Sequence, residues 1–252
     1  NKYKPMVTQN IVPTSNFHKI LIIDIETVPF CNDWENMSVE LKHHWQHKMK
    51  FLHLSEEQKT EPEAIFKDKA GIYAEFGKIV CIGMGYISDQ NGSNEVRLKS
   101  IQHDDEKTLL TEFCSTLKTF TEQHKEVVFC GHNIKEFDIP YICRRMLING
   151  MKLPSCLNIA GLKPWQITHQ DTLELWRFGD YKNYTSLDLL AQVLGVPSSK
   201  GDIDGSMVAK TYWEQGDLNR IAEYCLRDVY TTTLVYLKLK GWDKDLPKAT
   251  YV

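Results

Sequence analysis

Hydrophobic residues along this chain change their spacing from one region to the next. His18 to Val28 reads HKILIIDIETV, an almost wholly apolar, β-branched body that predicts a strand buried on both faces. The polar, turn-rich residues 1–18 before it read as a loose lead-in. Residues 31–75 switch to a helical period through Leu41, Trp45, Met49 and Leu52 and carry many Lys and Glu, which predicts a helical insertion. KIVCIGMGYIS at 78–88 predicts a second strand, Gln90-Asn91-Gly92 a turn and 95–102 a third strand. Leu109, Leu110, Phe113, Leu117 and Phe120 mark a helix over 104–123, and Glu126 to Cys130 a fourth strand ending at Gly131. A helix is expected from about Ile134 to Leu147, closed by Asn149-Gly150. Residues 151–170 are irregular around Pro154 and Pro164, with a short strand near 166–169. Helices are expected at about 172–178, 185–194, 205–214 and 217–240, the second stopped by Gly195-Val196-Pro197. Strands first, then alternation, then helices indicate an α/β fold, a mixed sheet flanked by helices.

The length of 252 residues suits one domain with an insertion, and 42% hydrophobic with 25% charged residues excludes wholesale disorder. Thirty Lys and Arg against thirty-three Asp and Glu leave a net charge of −3, so no global basic field draws in nucleic acid. Seven cysteines, an odd count without a C-x-x-C pair and several in apolar runs, read as free thiols in a reducing, cytoplasmic compartment. The apolar run Ile20–Ile23 is too short for a signal peptide or a membrane span, and a first residue other than Met points to a trimmed start.

Asp24 and Glu26 break the most apolar strand. Two residues apart, they share a face, and burial would set the two carboxylates against each other unless a cation intervened. An oxygen-preferring divalent ion such as Mg²⁺ or Mn²⁺ fits such a pair, and a strand-end or helix-capping role fits it equally. Asp138, in GHNIKEFD after the fourth strand, reads on its own as a carboxylate favoured by a helix start. Tyr224 and Asp228 lie i, i+4 on the last helix; taken alone they are a core aromatic beside a surface acid.

In order along the chain these are Asp-x-Glu, Asn-x-x-x-Phe-Asp and Tyr-x-x-x-Asp, and together they resemble the three exonuclease motifs of the DEDD superfamily of 3′–5′ exonucleases in its tyrosine-bearing subclass. The chain resembles the proofreading exonuclease domain of family-B DNA polymerases and looks like the free-standing predicted exonucleases related to that domain, over about residues 18–240. The resemblance implies a ribonuclease-H-like fold with a five-stranded mixed sheet. It implies one 3′–5′ exonuclease domain over 1–252, interrupted at about 31–75, with no room for a polymerase. It also implies that Asp24, Glu26, Asp138 and Asp228 hold two Mg²⁺ or Mn²⁺ ions about 3.5–4 Å apart, Asp24 bridging them, and that Tyr224 orients the attacking water. The products would be nucleoside 5′-monophosphates cut from single-stranded DNA 3′ ends. An exoribonuclease and a silent nucleic-acid-binding module are the alternatives, and the presence of all four carboxylates argues against the latter. By the same likeness Thr27, Asn133, Phe137 and Lys200 touch substrate, although Phe137 reads equally as core packing. The two ions would return four positive charges to the site and offset the acidic balance where phosphate must sit.

Other features read as structural. Asp171, before Thr172-Leu173-Glu174, is a helix cap first, although the likeness puts it near the site. Lys200 to Gly205 lacks the ligands of a calcium loop, and His43, His44 and His47 form a solvated face. Arg144, Arg145 and Lys182 read as surface, Trp176 and Trp213 as core.

Overall fold

A computed structural model describes residues 14–90 and 93–252. The lead-in before residue 14 and the middle of the turn at 90–92 lie outside the described residues. Strand β1 (Ile20–Pro29) is followed by three short helices, α1 (Val39–Met49), α2 (Glu56–Lys59) and α3 (Pro62–Lys69). The long hairpin β2 (Gly77–Gln90) and β3 (Ser93–Gln102) leads into α4 (Glu106–His124), β4 (Val128–Gly131) and α5 (Asp138–Ile148). Then come β5 (Gln170–Asp171), α6 (Thr172–Arg177), α7 (Leu187–Leu194), the single turn α8 (Val208–Lys210), α9 (Leu218–Leu239) and β6 (Lys248–Tyr251).

The strands form one mixed sheet in the order β5-β4-β1-β2-β3-β6, with β1–β2 and β2–β3 antiparallel and the other pairs parallel. Six strands, not the expected five, are present. The sixth, Lys-Ala-Thr-Tyr, is short and half-exposed, so it carries no apolar run to announce itself. Two expected boundaries also move. The short strand forms at Gln170–Asp171 rather than at 166–169, where a 3-10 turn (Pro164–Gln166) gives way to irregular backbone, and α5 begins at Asp138 rather than at 134. The cause of the second shift is local: Asn133 takes a left-handed φ of +64°, and its N–H with that of Lys135 is captured by Asp171 instead of starting a helix. The segment expected as a helix over 205–214 is a 3-10 turn, the single turn α8 and a π turn (Thr211–Gln215).

The two-residue period of β1 sorts its side chains. Leu21, Ile23 and Ile25 enter a core shared with α4 and α5. Ile20, Ile22 and Val28 enter the cores under α9 on the other face, the face that Asp24 and Glu26 share with them. Helix α9 comes close because Gly83 and Gly85 of β2 carry no side chain. A Cβ at Gly83 would stand 2.8 Å from Cys225 Sγ and 2.9 Å from Val229 Cγ2. Residues 31–75 pack about their own cluster of Trp34, Trp45, Ile65, Phe66 and Phe76, with the Trp45 indole N–H donating to the Pro62 carbonyl at 3.0 Å. Arg145, expected at the surface, is instead buried, paired with Glu106. Among the described residues no helix is long and apolar enough to cross a membrane.

Candidate active site

Strand β4 pairs with β1 only from Ile20 to Ile22, so the second half of β1 has no neighbour on that side. The free Ile25 N–H there is taken by Asp138, whose Oδ1 accepts at 3.1 Å. Asp138 stands at the first residue of α5, buried, where the helix N-terminus favours a carboxylate. The crevice beyond the ends of β1 and β4, where the chain connections diverge, is the position at which open α/β sheets bind ligands.

Asp24 and Glu26 project into this crevice from β1 and face Gly83 and Cys81 of β2 across the ladder. A register shift between Glu26 and Thr27 then turns the strand. The Cys225 thiol of α9 donates to the Asp24 carbonyl at 3.5 Å and to its Oδ2 at 3.4 Å, and Asp24, Glu26 and Cys225 offer donor atoms within 4.8 Å of one another. One turn further along α9, Asp228 is half-buried beside the Tyr224 hydroxyl and Ser199. Three segments far apart in sequence therefore bring four carboxylates and a phenol together.

Their protonation records the crowding. Burial first, then Asp228 and Asp138, raises the Asp24 carboxyl well above its usual range. Burial and then Asp24 do the same to Glu26. Burial lifts Asp138 to about 7 and also raises Asp228. Burial and the surrounding acids, Asp228 first, push the Tyr224 hydroxyl upward, so it remains a proton donor. None of the four carboxylates belongs to an ion pair among the described residues, and Arg227, the cation nearest Asp228 on the helix, is shared with Asp202. This donor set, hard oxygens in excess with no basic partner, fits divalent cations. The Cys225 thiol, itself raised by burial, is a hydrogen-bond donor to Asp24.

A pH dependence follows. These carboxyls are protonated more readily in the folded chain than in the unfolded one. Their contribution is therefore fully present below about pH 4 and is lost as pH rises through about 7, the value reached by Asp138. Metal-free protein is expected to melt about 5–10 °C lower at pH 8 than at pH 5, or roughly 2–3 kcal/mol at this chain length. Thermal melts in a chelator check this, and an unchanged or higher midpoint at pH 8 would refute it.

A cavity of about 420 Å³ opens beside the carboxylates, lined by Glu26, Thr27 and Phe137 on one side and by Gly205 and Ser206 on another. Asp68, Lys69 and Ile72, from the 31–75 segment, line a further side. Phe137 lines it and also packs against Tyr141 with ring centroids 5.4 Å apart. Asn133 stands in the turn before α5, its N–H bound to Asp171. Lys200 is exposed, its Nζ 2.8 Å from Asp188. Sequence reasoning ranked Asp171 as a cap. It does cap α6 through the Leu173 N–H at 2.9 Å, but it also ties down the Asn133 and Lys135 N–H groups at 2.9 and 3.2 Å, so it positions the whole turn that delivers Asp138. The close approach at Gly83 was missed as well; two glycines spaced i, i+2 inside an apolar strand were its signal.

The family described as a predicted 3′–5′ exonuclease related to the exonuclease domain of PolB matches residues 72–252, which include Asp138, Tyr224 and Asp228 and begin after Asp24 and Glu26. Among curated proteins none matches the chain. Among solved structures, the family B DNA polymerase from the hyperthermophilic archaeon Pyrobaculum calidifontis is similar at a TM-score of 0.55 and 16% identity, over 87% of this chain and 24% of that one. The likeness is one of fold, and this chain spans about a quarter of the polymerase's length.

Proposed function

Because this chain belongs to the family of predicted 3′–5′ exonucleases related to the exonuclease domain of PolB, we propose that it removes nucleotides from the 3′ ends of single-stranded DNA, using two divalent ions held by Asp24, Glu26, Asp138 and Asp228. The observation that carries this reading is the convergence of four carboxylates from three segments, Glu26 and Asp138 buried and Asp24 and Asp228 partly so, with raised proton affinity and no ion pair among the described residues. Bound Mg²⁺ or Mn²⁺ would supply Lewis-acid stabilisation of the attacking and leaving oxygens in an in-line displacement at phosphorus.

The chain's own residues account for the rest. Tyr224, held protonated beside Asp228, would turn its single O–H from Asp228 to the attacking water to orient it, and does not act as the base. Asp171 and the left-handed Asn133 fix the turn from which Asp138 reaches β1. Thr27 and Phe137 line the cavity in which the terminal nucleotide sits, Phe137 offering an aromatic edge to its base. Asn133 and Lys200 are the remaining contacts in this reading; Lys200 would leave Asp188 to meet a phosphate. Hydrolysis breaks the bond from phosphorus to the 3′ oxygen, frees a nucleoside 5′-monophosphate and leaves a new 3′ hydroxyl.

In this reading the chain is one nuclease domain, and residues 31–75 are an insertion that walls the cavity through Asp68, Lys69 and Ile72. The preference for DNA rests on the similarity in fold to a DNA polymerase. Seven cysteines without a disulfide support a reducing, cytoplasmic setting.

The test uses single-stranded DNA and RNA labelled at the 5′ end, with Mg²⁺, Mn²⁺ or EDTA. Stepwise shortening of DNA from the 3′ end that ceases in EDTA is expected. Shortening of RNA alone would replace this reading with an exoribonuclease, and binding without shortening in either metal would refute catalysis.

A further inference from the structure

The loop after α6 presents large aromatic side chains to solvent. Phe178, Tyr181 and Tyr184 are 81%, 75% and 64% exposed. Three rings within seven residues are a concentration of apolar surface that no element among the described residues covers. The loop is ordered: Asp180 accepts from the Lys182 N–H at 3.1 Å and from Asn183 Nδ2 at 3.0 Å, and its own N–H donates to the Arg177 carbonyl at 2.8 Å. Phe178 is also held at a φ of +44°, a left-handed conformation that a bulky side chain rarely adopts. A strained, exposed aromatic on a stiff loop points to use rather than packing.

Two further observations identify the occupant. The loop is continuous with the carboxylate crevice. His132, next to Asn133, meets the Thr185 carbonyl through Nε2 at 2.9 Å, and its ring lies 6.2 Å from that of Tyr184. The loop also interleaves cations with its rings. The Arg177 guanidinium lies 5.9 Å from the Tyr181 ring centroid but is largely buried, 3.9 Å from Glu136, whereas Lys182 is exposed, with no ion pair among the described residues. Exposed rings beside an exposed lysine, leading away from a phosphodiester-cutting crevice, suit a single-stranded nucleic acid, because every base has a face to stack and its phosphate a cation to meet.

We propose that Phe178, Tyr181 and Tyr184 form a stacking surface for the single-stranded segment 5′ of the nucleotide being removed. The proposal takes its direction along the strand from the exonuclease reading, but its test does not need catalysis. Fluorescence anisotropy in EDTA compares oligothymidylates of three and twelve nucleotides, labelled at the 5′ end. The native chain is expected to bind the twelve-mer far more tightly than the three-mer. The double variant Phe178→Asn/Tyr181→Ala, in which Asn tolerates the left-handed backbone, is expected to lose roughly 25- to 100-fold in twelve-mer affinity, about five- to tenfold per ring, and with it most of the length dependence.

An unchanged twelve-mer affinity in a variant that melts like the native chain would overturn the proposal. So would native protein that binds both lengths alike, or a variant whose self-association falls in sedimentation while its twelve-mer binding stays the same, which would make the surface a contact between copies. Tight, ring-dependent binding by a native chain that shortens no strand in Mn²⁺ would sink the exonuclease reading and leave this one standing.

Discussion

Asp24→Asn is expected to lose about three to four orders of magnitude in nuclease turnover and, at the same time, to melt at a higher temperature than the native chain in EDTA at pH 8. The two halves have one cause. Asp24 stands between Asp228, Asp138 and Glu26, and burial together with those charges resists its ionisation. Without a cation it is a source of repulsion, so a neutral isostere relieves the fold. With a cation it is a ligand, and loss of several kcal/mol of charge stabilisation at phosphorus corresponds to that loss of rate. The amide keeps an acceptor for the Cys225 thiol, so no buried donor is orphaned. Native protein should gain thermal stability on addition of Mn²⁺, more at pH 8 than at pH 5, and the variant should gain much less. Calorimetry with and without EDTA, beside single-turnover assays, measures both halves. A variant that is inactive but melts lower in EDTA at pH 8 would mean that Asp24 is a structural partner in a neutral network, against the metal assignment.

The second large effect lies outside the crevice. Arg145→Met is expected to destabilise the fold by about 3–5 kcal/mol, roughly 10 °C in midpoint, because it strands the buried Glu106 carboxylate. Arg145 donates through Nε at 2.9 Å and through Nη2 to Glu106, and through Nη1 to the Ala74 carbonyl at 2.8 Å. Glu106 in turn accepts from the Ile79 N–H at 2.7 Å and from Asn149 at 2.8 Å. This one ion pair thus joins α4, α5, β2 and the end of the 31–75 segment, two of whose neighbouring residues, Gly71 and Ile72, line the cavity. The double variant Arg145→Met/Glu106→Gln should recover part of the loss, since a neutral amide still serves the Ile79 N–H without needing a cation. Chemical denaturation of Arg145→Met, Glu106→Gln and the double variant decides. A single variant within 1 kcal/mol of the native chain would show that the pair contributes little, and a double variant worse than either single would exclude the stranded charge as the cause.

Much of this molecule follows from spacing along the chain. Asp24 and Glu26 stand out because polar residues two apart in an apolar strand must share one buried face. Tyr224 and Asp228 are paired by the helical repeat, and the order of the three motifs carries the family likeness. These are relations over a few residues, which the backbone periods enforce whatever the tertiary contacts.

What escaped the sequence depends on where elements stop and how near they come. Asp138 is tied to Ile25 because β4 ends short and leaves that N–H free. Asp171, legible as a cap, holds the Asn133 turn because its second segment lies 38 residues away. Arg145 looks like a surface cation until Glu106 is brought beneath it. A sixth strand of four half-exposed residues exists only because β3 offers it an open edge. Side-chain periodicity dictates which face a residue occupies. The partner across that face is set by long-range packing, and it is there that a carboxylate becomes a member of the crevice, a cap or half of a buried ion pair.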